Sequence, residues 1–425
     1  MKVFKFGGAS VKDADSVLNV IKIINLFDAD LMVVISAMGK TTNAMEKVVD
    51  LYFNKLDYSE EINFVHQFHQ AIIKDLGLEE DEAFASVFKS FWDKLRDKLV
   101  TEPSVNYDYE YDQIVSFGEL FSTAIVSGAL NAKGIENEWV DARKIIRTSN
   151  DYREGIVDWE LTQALFKSKV GALYQDKSKR SICVTQGFIG HTDIGQTTTL
   201  GREGSDFTAG IAAWCLSAED VTIWKDVPGM LNADPKLFNN TKKLSKISFK
   251  EAIELSYYGA SVIHPKTIKP LQNKGISLYV KSFLNPMDEG TIIQAGSEND
   301  SLIPSFIYKD NQLLISISPR DFSFITEQNM RDIFNAFSEV KMKINLMQNS
   351  AISFSVCVDE DPFKLKDLMG LLEDEYLIKY NDELSLLTIR HYNDRTIDEL
   401  TKKSEILVEQ KSRQTARFVT RKAEL

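Results

Sequence analysis

The chain lacks a long hydrophobic run, has few cysteines and has no excess of positive charge, and each shortage removes a class of function. No apolar stretch approaches the roughly 20 residues that a membrane-crossing helix needs. The first residues read as a short strand, with no apolar signal segment or small-residue cleavage site. A cytoplasmic protein without a membrane partner is therefore expected. Only three cysteines occur, Cys183, Cys215 and Cys357, far apart and among apolar neighbours. That suits reduced core thiols rather than a disulfide framework or a metal site. Lysine and arginine number 50 against 62 aspartate and glutamate, a net charge of −12. Nucleic acid is thus not the expected partner, because a phosphate backbone is bound by basic surface, although a local basic pocket for a nucleotide stays open. His66 and His69 stand three apart with no nearby cysteine or second histidine pair, so they read as a solvated helix face and no dedicated metal site is expected.

What is present is length and alternation. A chain of 425 residues exceeds one compact core and implies two or three domains. From Lys2 to about Ile293, short β-branched runs alternate with helical stretches, which predicts an α/β fold with a mainly parallel sheet sandwiched by helices. Strands are expected at 31–35, 181–185, 221–224 and 277–280, and helices over 42–55, 108–132, 158–174, 205–216 and 248–258. Residues 56–107 read as amphipathic helix inserted over the sheet. In such sheets ligands bind beyond the carboxyl ends of the strands. Lys5 and Gly7, Ser36 and Gly39, Gly187 and Gly190, and Lys225 and Asp226 follow successive strands there.

Residues 294–300 are small and polar, as linkers are. Beyond them the order becomes βαββαβ over about 312–380, the signature of a ferredoxin-like unit. A second, partial unit follows over 384–425, without a final helix and strand unless 302–311 helps to complete it. The expected domains are therefore 1–295 and 302–425.

Several strings carry chemistry. In Val3 to Ser10, Lys5 offers a mobile charge and Gly7 and Gly8 leave backbone N–H groups accessible, so the segment fits both an anion site and a tight turn. Ser10 and Asp13 offer N-cap oxygens to the helix that follows. Residues 186–206 surround the run from Thr197 to Asp206 with glycine, and Arg202 there supplies a planar fork for a carboxylate or phosphate. Ser205 and Asp206 also suit helix capping. Gly118 and Glu119 interrupt an apolar helix, which fits close packing and a polar task, or a solvated outer face. The turns at 224–229 and 232–236 present Lys225, Asp226 and Lys236, while His264-Pro265 marks a helix start.

In order, KFGGAS (5–10), SFGELFS (116–122), TTTLGREGSD (197–206), WKDVPG (224–229), NADPK (232–236) and YYGASVIHP (257–265) resemble the strings of the aspartokinases. That family belongs to the amino-acid kinase superfamily and carries a C-terminal regulatory region of ACT type. The resemblance implies ATP-dependent phosphorylation of the L-aspartate side chain to 4-phospho-L-aspartate, the entry to lysine, threonine, methionine and diaminopimelate biosynthesis. ATP and Mg²⁺ are the implied cofactors, with the ion carried mainly on the phosphates. By the same resemblance Lys5 and Asp206 are catalytic, and Gly7, Gly8 and Ser10 bind phosphate. Ser36, Thr42, Glu119, Arg202 and Ser205 line the aspartate pocket, and Lys225, Asp226, Lys236 and Lys266 hold the nucleotide. Other readings are a kinase for a different acidic amino acid, or a catalytically silent sensor with the same fold.

The strings also depart from the family. Relatives commonly have glycine at Glu203, where a carboxylate either points to solvent or weakens anion binding. Many have lysine at Ser261, for which Lys266 is the available substitute, and arginine at Lys236. In the tail, Lys343, Asn345, Asn349 and Ser350 occupy the strand and turn that lysine-sensitive relatives use for an amino-acid effector. Asn345 and Ala351 stand where those relatives are acidic, so inhibition by lysine is not expected. No dehydrogenase module follows, which implies a monofunctional kinase, and pairing of ACT units implies a homodimer.

Overall fold

The computed structural model describes residues 1–176, 178–260, 263–296 and 298–421. In chain order the strands are β1 (Lys2–Phe6), β2 (Leu31–Ile35), β3 (Glu138–Val140), β4 (Ile182–Gln186), β5 (Ile189–His191), β6 (Thr197–Thr199), β7 (Asp220–Lys225), β8 (Lys246–Ser248), β9 (Ser277–Ser282) and β10 (Thr291–Gln294). Between them run α1 (Ala14–Asn25), α2 (Thr41–Phe53), α3 (Ser59–Asp75), α4 (Glu82–Leu99), α5 (Tyr107–Val115), α6 (Phe117–Ala132), α7 (Trp159–Lys169), α8 (Gly204–Leu216), α9 (Phe249–Tyr258) and α10 (Pro265–Lys274). Two compact units result. The first comprises residues 1–230, 243–253 and 262–297; the second comprises 231–242, 254–261 and 298–425.

In the first unit, eight strands form one sheet in the order β3-β4-β2-β1-β7-β9-β10-β8. Every pair from β3 to β9 is parallel, and β10 runs antiparallel to β9. Strand β2 is wholly buried, which is why it reads as a continuous apolar run rather than an alternating one; β1 is nearly as buried but carries Lys5 within it. Trp224 stacks on Phe6 at 5.9 Å and meets Phe4 edge-on at 5.5 Å, so aromatic packing fixes β1 against β7 on one face of the sheet. Strands β3, β5, β6, β8 and β10 were not legible from the pattern, because each has only three or four residues, too few for a period to show.

The helix pair α5–α6 corrects the expectation that no apolar run is near membrane-spanning length. Tyr107–Ala132 is 26 residues long and apolar enough by composition, yet 94% of its most apolar window is buried inside the protein. It is a core helix. A second correction concerns His69, read as solvated: it is fully buried. Its ring lies 5.3 Å from that of Phe121, Nδ1 is 2.7 Å from the Val65 carbonyl, and burial depresses its pKa to about 4.

The second unit contains β11 (Ser305–Pro319), α11 (Glu327–Glu339), β12 (Ile344–Asn349), β13 (Phe354–Asp359), α12 (Pro362–Leu372), β14 (Tyr376–Arg390), α13 (Asp394–Thr401), β15 (Ile406–Lys411) and β16 (Thr415–Arg421). They form a six-stranded sheet, β12-β13-β11-β14-β16-β15. Strands β11 and β14 are long and antiparallel: Ser305 to Lys309 pair with Leu386 to Arg390, and Gln312 to Pro319 with Tyr376 to Leu384. A register shift between Lys309 and Gln312 separates the two halves. What reads in the sequence as two strands, 376–380 and 384–389, is therefore one. The Gln410 amide donates to the Met347 carbonyl at 3.3 Å, so the outer strands β15 and β12 approach each other. Leu314, Leu346, Cys357, Leu386, Val408 and Val419 fill the space they enclose.

Candidate active site

The carboxyl ends of β2, β1 and β7 lie side by side, and the unusual residues of the chain gather there. Lys5 points to the sheet face opposite Phe4 and Phe6, as strand alternation requires, and is only 8% exposed. Its Nζ is 2.7 Å from Asp206 Oδ1, and Lys225 Nζ is 3.5 Å from Asp206 Oδ2. Asp206 stands in the first turn of α8, where the helix dipole favours an anion. Burial alone pushes its carboxyl up, but Lys5 first and Lys225 second outweigh burial and hold it below the ordinary carboxylate range. Two ammonium groups around one carboxylate leave an excess of positive charge beside a backbone loop.

That loop is a 3₁₀ turn, Gly8–Val11. A Cβ on Gly8 would stand 2.8 Å from the carbonyl oxygens of both Ala37 and Gly39, so only glycine lets the loop after β1 touch the loop after β2. Gly39 N–H donates to the Gly8 carbonyl at 3.1 Å, and a Cβ on Gly7 would be 3.4 Å from Lys5 Nζ. Ser10 is buried within the turn and does not cap α1; Asp13 does, accepting from Ser16 N–H at 2.8 Å. Ser36 and Thr42, both half-buried, flank this region from the end of β2 and the first turn of α2.

Glu119 reaches the same loop from α6. Gly118 allows the approach, since a Cβ there would meet Ala37 Cβ at 3.2 Å and Thr41 Cγ2 at 3.3 Å. The solvated reading of Glu119 is excluded: it is 2% exposed. Oε1 accepts from Ala37 N–H at 3.3 Å, while Oε2 has no hydrogen-bond partner. Burial, only partly offset by the Ala37 hydrogen bond and by Lys5, pushes this carboxyl up to about 8. It is a buried acid with one open oxygen.

The Thr197–Asp206 segment supplies the remaining wall. Arg202 is exposed, and Ser205 is buried over Gly187, whose absent side chain leaves room for it. Neither Ser205 nor Asp206 caps α8, because the N-cap position is Glu203, in the left-handed region at φ 55°. That conformation explains why glycine suits this position. One Glu203 oxygen is sequestered from solvent without a partner, so the residue does not simply point outward. Glu203→Gly is expected to stabilise the protein by about 1 kcal/mol, read as a higher unfolding midpoint; an unchanged or lower midpoint would contradict the strain.

Lys266 lies close by, its Nζ 3.7 Å from where a Gly201 Cβ would stand. The helix start at His264 is formed, with Nδ1 accepting from Lys266 N–H at 3.1 Å. Asp226 is exposed just after Lys225. Lys236 is exposed and belongs to the second unit, and Ser261 lies outside the described residues. Sequence reasoning missed Asp112 and Gln113, which bind β6 from α5; the sequence offered no signal for them, because Asp112 is one of three carboxylates in that nine-residue helix, with Asp108 and Glu110.

In the second unit Asn345 is buried and fully engaged. It donates to Gln312 at 2.9 Å and to Asp359 at 2.8 Å, and accepts from Lys309 Nζ at 3.0 Å. Lys343 Nζ stands over the Tyr257 ring at 5.5 Å. Asn349 and Ser350 are exposed at the end of β12, and Ser350 Oγ bonds Ser353 Oγ at 2.7 Å.

Residues 1–282 match the amino acid kinase family. Lysine-sensitive aspartokinase 3 of Escherichia coli is 30% identical over 372 residues, covering 84% of this chain and 78% of that protein. The chain belongs to the aspartokinases of the amino acid kinase family. Chloroplastic aspartokinase 1 of Arabidopsis thaliana is 30% identical over 383 residues, 86% of this chain, which spans 65% of that relative's length. Among solved structures, E. coli aspartokinase III in complex with aspartate and ADP aligns with a TM-score of 0.82, covering 99% of this chain and 96% of that one at 24% identity. The same enzyme with lysine and aspartate aligns with a TM-score of 0.81, also at 24% identity. These likenesses establish the aspartokinase fold, with an ACT-like C-terminal region.

Proposed function

We propose that the chain transfers the γ-phosphoryl group of ATP to the side-chain carboxylate of L-aspartate, giving 4-phospho-L-aspartate and ADP. The observation that carries this reading is the Lys5–Asp206–Lys225 cluster beside the Gly7-Gly8 loop, facing a buried carboxylate with one open oxygen at Glu119. The acceptor carboxylate is already a nucleophile and has no proton to lose. The protein's task is therefore to bring two anions together in line and to neutralise the moving phosphoryl. Lys5 stands where it can follow that charge, while Asp206 holds its ammonium in place. Gly7 and Gly8 leave backbone N–H groups open to a phosphate oxygen, and Ser10 closes the turn. Glu119 takes the α-ammonium of the acceptor and Arg202 its α-carboxylate, with Ser36, Thr42 and Ser205 around them. Lys225, Asp226 and Lys266, all in the first unit, are assigned to the nucleotide.

Mg²⁺ would enter on the phosphates of ATP and neutralise part of their charge. Among the described residues no group of three or more His, Cys, Asp or Glu is placed to hold a metal, so no dedicated protein site is assigned.

ADP release with purified protein tests the reading across L-aspartate, L-glutamate and N-acetyl-L-glutamate. Turnover with aspartate is expected; preference for glutamate would reassign the acceptor, and no turnover with any would favour a silent sensor. Added L-lysine is expected to change the rate little. Asn345 is already committed within the unit and the Lys309 ammonium stands beside it, a poor setting for a basic effector.

We assign catalysis to 1–295 and regulation to 302–425, with the chain as a homodimer. The support is apolar surface on the second unit: Phe322 is 82% exposed, and Ile352 and Leu377 line a cavity with it. Light scattering should give twice the chain mass of 48.2 kDa. A monomer at micromolar concentration would count against the dimer.

A further inference from the structure

Among the described residues strand β6 pairs with β5 alone, and no strand lies along its other edge. Two side chains of α5 occupy that edge. The Gln113 amide donates to the Thr197 carbonyl at 2.8 Å and accepts from Thr197 N–H at 3.2 Å, as a neighbouring strand would. Asp112 Oδ2 accepts from Thr199 N–H at 2.9 Å, and Oδ1 accepts from Thr199 Oγ1 at 2.7 Å. The same Oδ2 accepts from Arg153 N–H at 2.9 Å. The loop around Arg153 is bound to the strand in turn, because Gly155 N–H donates to the Thr199 carbonyl at 2.8 Å. The Arg153 carbonyl lies 3.2 Å from where a Gly201 Cβ would stand, directly before Arg202.

Asp112 has no exposed surface and receives only backbone and hydroxyl donors. The Arg153 guanidinium is turned elsewhere, 4.4 Å from the Tyr111 ring and paired with Asp108 at 3.3 Å. Burying a carboxylate without a directly paired cation is costly. What it gains is three accepted hydrogen bonds from two different chain segments. The Thr199 segment leads into the loop with Arg202 and the Arg153 segment packs against Gly201 within it, whereas Asp112 itself leads, seven residues later, to Glu119.

We propose that Asp112, seconded by Gln113, is a positioning residue that sets the distance between Arg202 and Glu119, so that both ends of the amino-acid acceptor are gripped at once. This rests on the acceptor roles given to Arg202 and Glu119 above. Without the tie, β6 and the loop after it would sample positions in which only one end of the acceptor is held, and acceptor affinity would fall while the nucleotide site at Lys225 stayed intact.

The test measures KM and calorimetric Kd for whichever amino acid the wild-type protein accepts, with hydrogen exchange over 197–206 recorded in parallel. Asp112→Ala is expected to weaken the acceptor about tenfold or more, to leave KM for ATP within about twofold, and to speed exchange over 197–206. Asp112→Asn keeps an oxygen for the two N–H donors and is expected to restore most of the affinity. Gln113→Ala should weaken the acceptor in the same direction by about threefold, and serves if Asp112→Ala does not fold. Unchanged acceptor affinity in both alanine variants overturns the inference, as does an equal loss for acceptor and ATP. A wild-type protein that accepts glutamate in place of aspartate would overturn the proposed reaction, yet leave this comparison decisive.

Discussion

Lys5→Ala is expected to lower kcat by about a thousandfold or more while the protein stays folded, because the lost ammonium is the charge that follows the phosphoryl from donor to acceptor. The expected fold retention also has a physical basis. Asp206 keeps Lys225 at 3.5 Å, so its buried carboxylate is not left wholly unpaired. Circular dichroism should therefore show native secondary structure, and an acid titration should show the altered environment. In the intact protein, Asp206 has a carboxyl held below its ordinary value, so its contribution to stability is present above that value and is lost as pH falls through the folded one. Removing Lys5 removes the larger opposing charge, and burial then pushes the carboxyl up. Acid unfolding should accordingly begin at a higher pH in Lys5→Ala. A folded variant with ordinary turnover would refute the role assigned to Lys5.

Glu119→Gln should have opposite effects on binding and on stability. With a carboxyl raised by burial to about 8, Glu119 holds its proton at neutral pH in the ligand-free protein. The acceptor's ammonium needs the ionised form, so acceptor KM in the wild type should fall as pH rises toward that value, by about tenfold per unit at most. The glutamine variant cannot ionise; its acceptor KM should be raised about tenfold to a hundredfold at pH 8 and lose this pH dependence. Stability runs the other way. Between the ordinary glutamate pKa of 4.5 and the folded value, the unfolded chain has released a proton that the folded protein still holds, so wild-type stability declines across that window as pH rises. Glu119→Gln should be more stable than wild type at pH 8, by up to a few kcal/mol, and similar to it below the window. Denaturant unfolding at two pH values checks the sign. A variant destabilised at pH 8 would show that Glu119 is already ionised and paired.

These two residues mark what a sequence alone can say. Lys5 was visible because its function depends on local neighbours: a strand end, two glycines and a lysine are consecutive, and their spacing alone suggests an anion site. Glu119 was not. Its position in an apolar helix was equally compatible with an outer solvated face, and the family resemblance rather than its own surroundings favoured the acceptor site. The decision came from Gly118 packing against Ala37 and Thr41, contacts between segments about 80 residues apart. Asp112 lay further out of reach, since its partners are Arg153 and Thr199 and nothing near it in the chain announces them.

The sequence by itself determined the class of fold, a parallel sheet sandwiched by helices followed by a ferredoxin-like region. Hydrophobic period and order are local properties, and they survive being read one residue at a time. It also determined which strings carry charge and glycine. Tertiary structure decided which of those residues meet. It put Asp206 between Lys5 and Lys225, buried Glu119 and His69, turned Glu203 into a left-handed cap, and merged two apparent strands into β14. The reason is the same in each case: burial, ionisation and strand pairing depend on what approaches from distant parts of the chain, and only the folded arrangement supplies it.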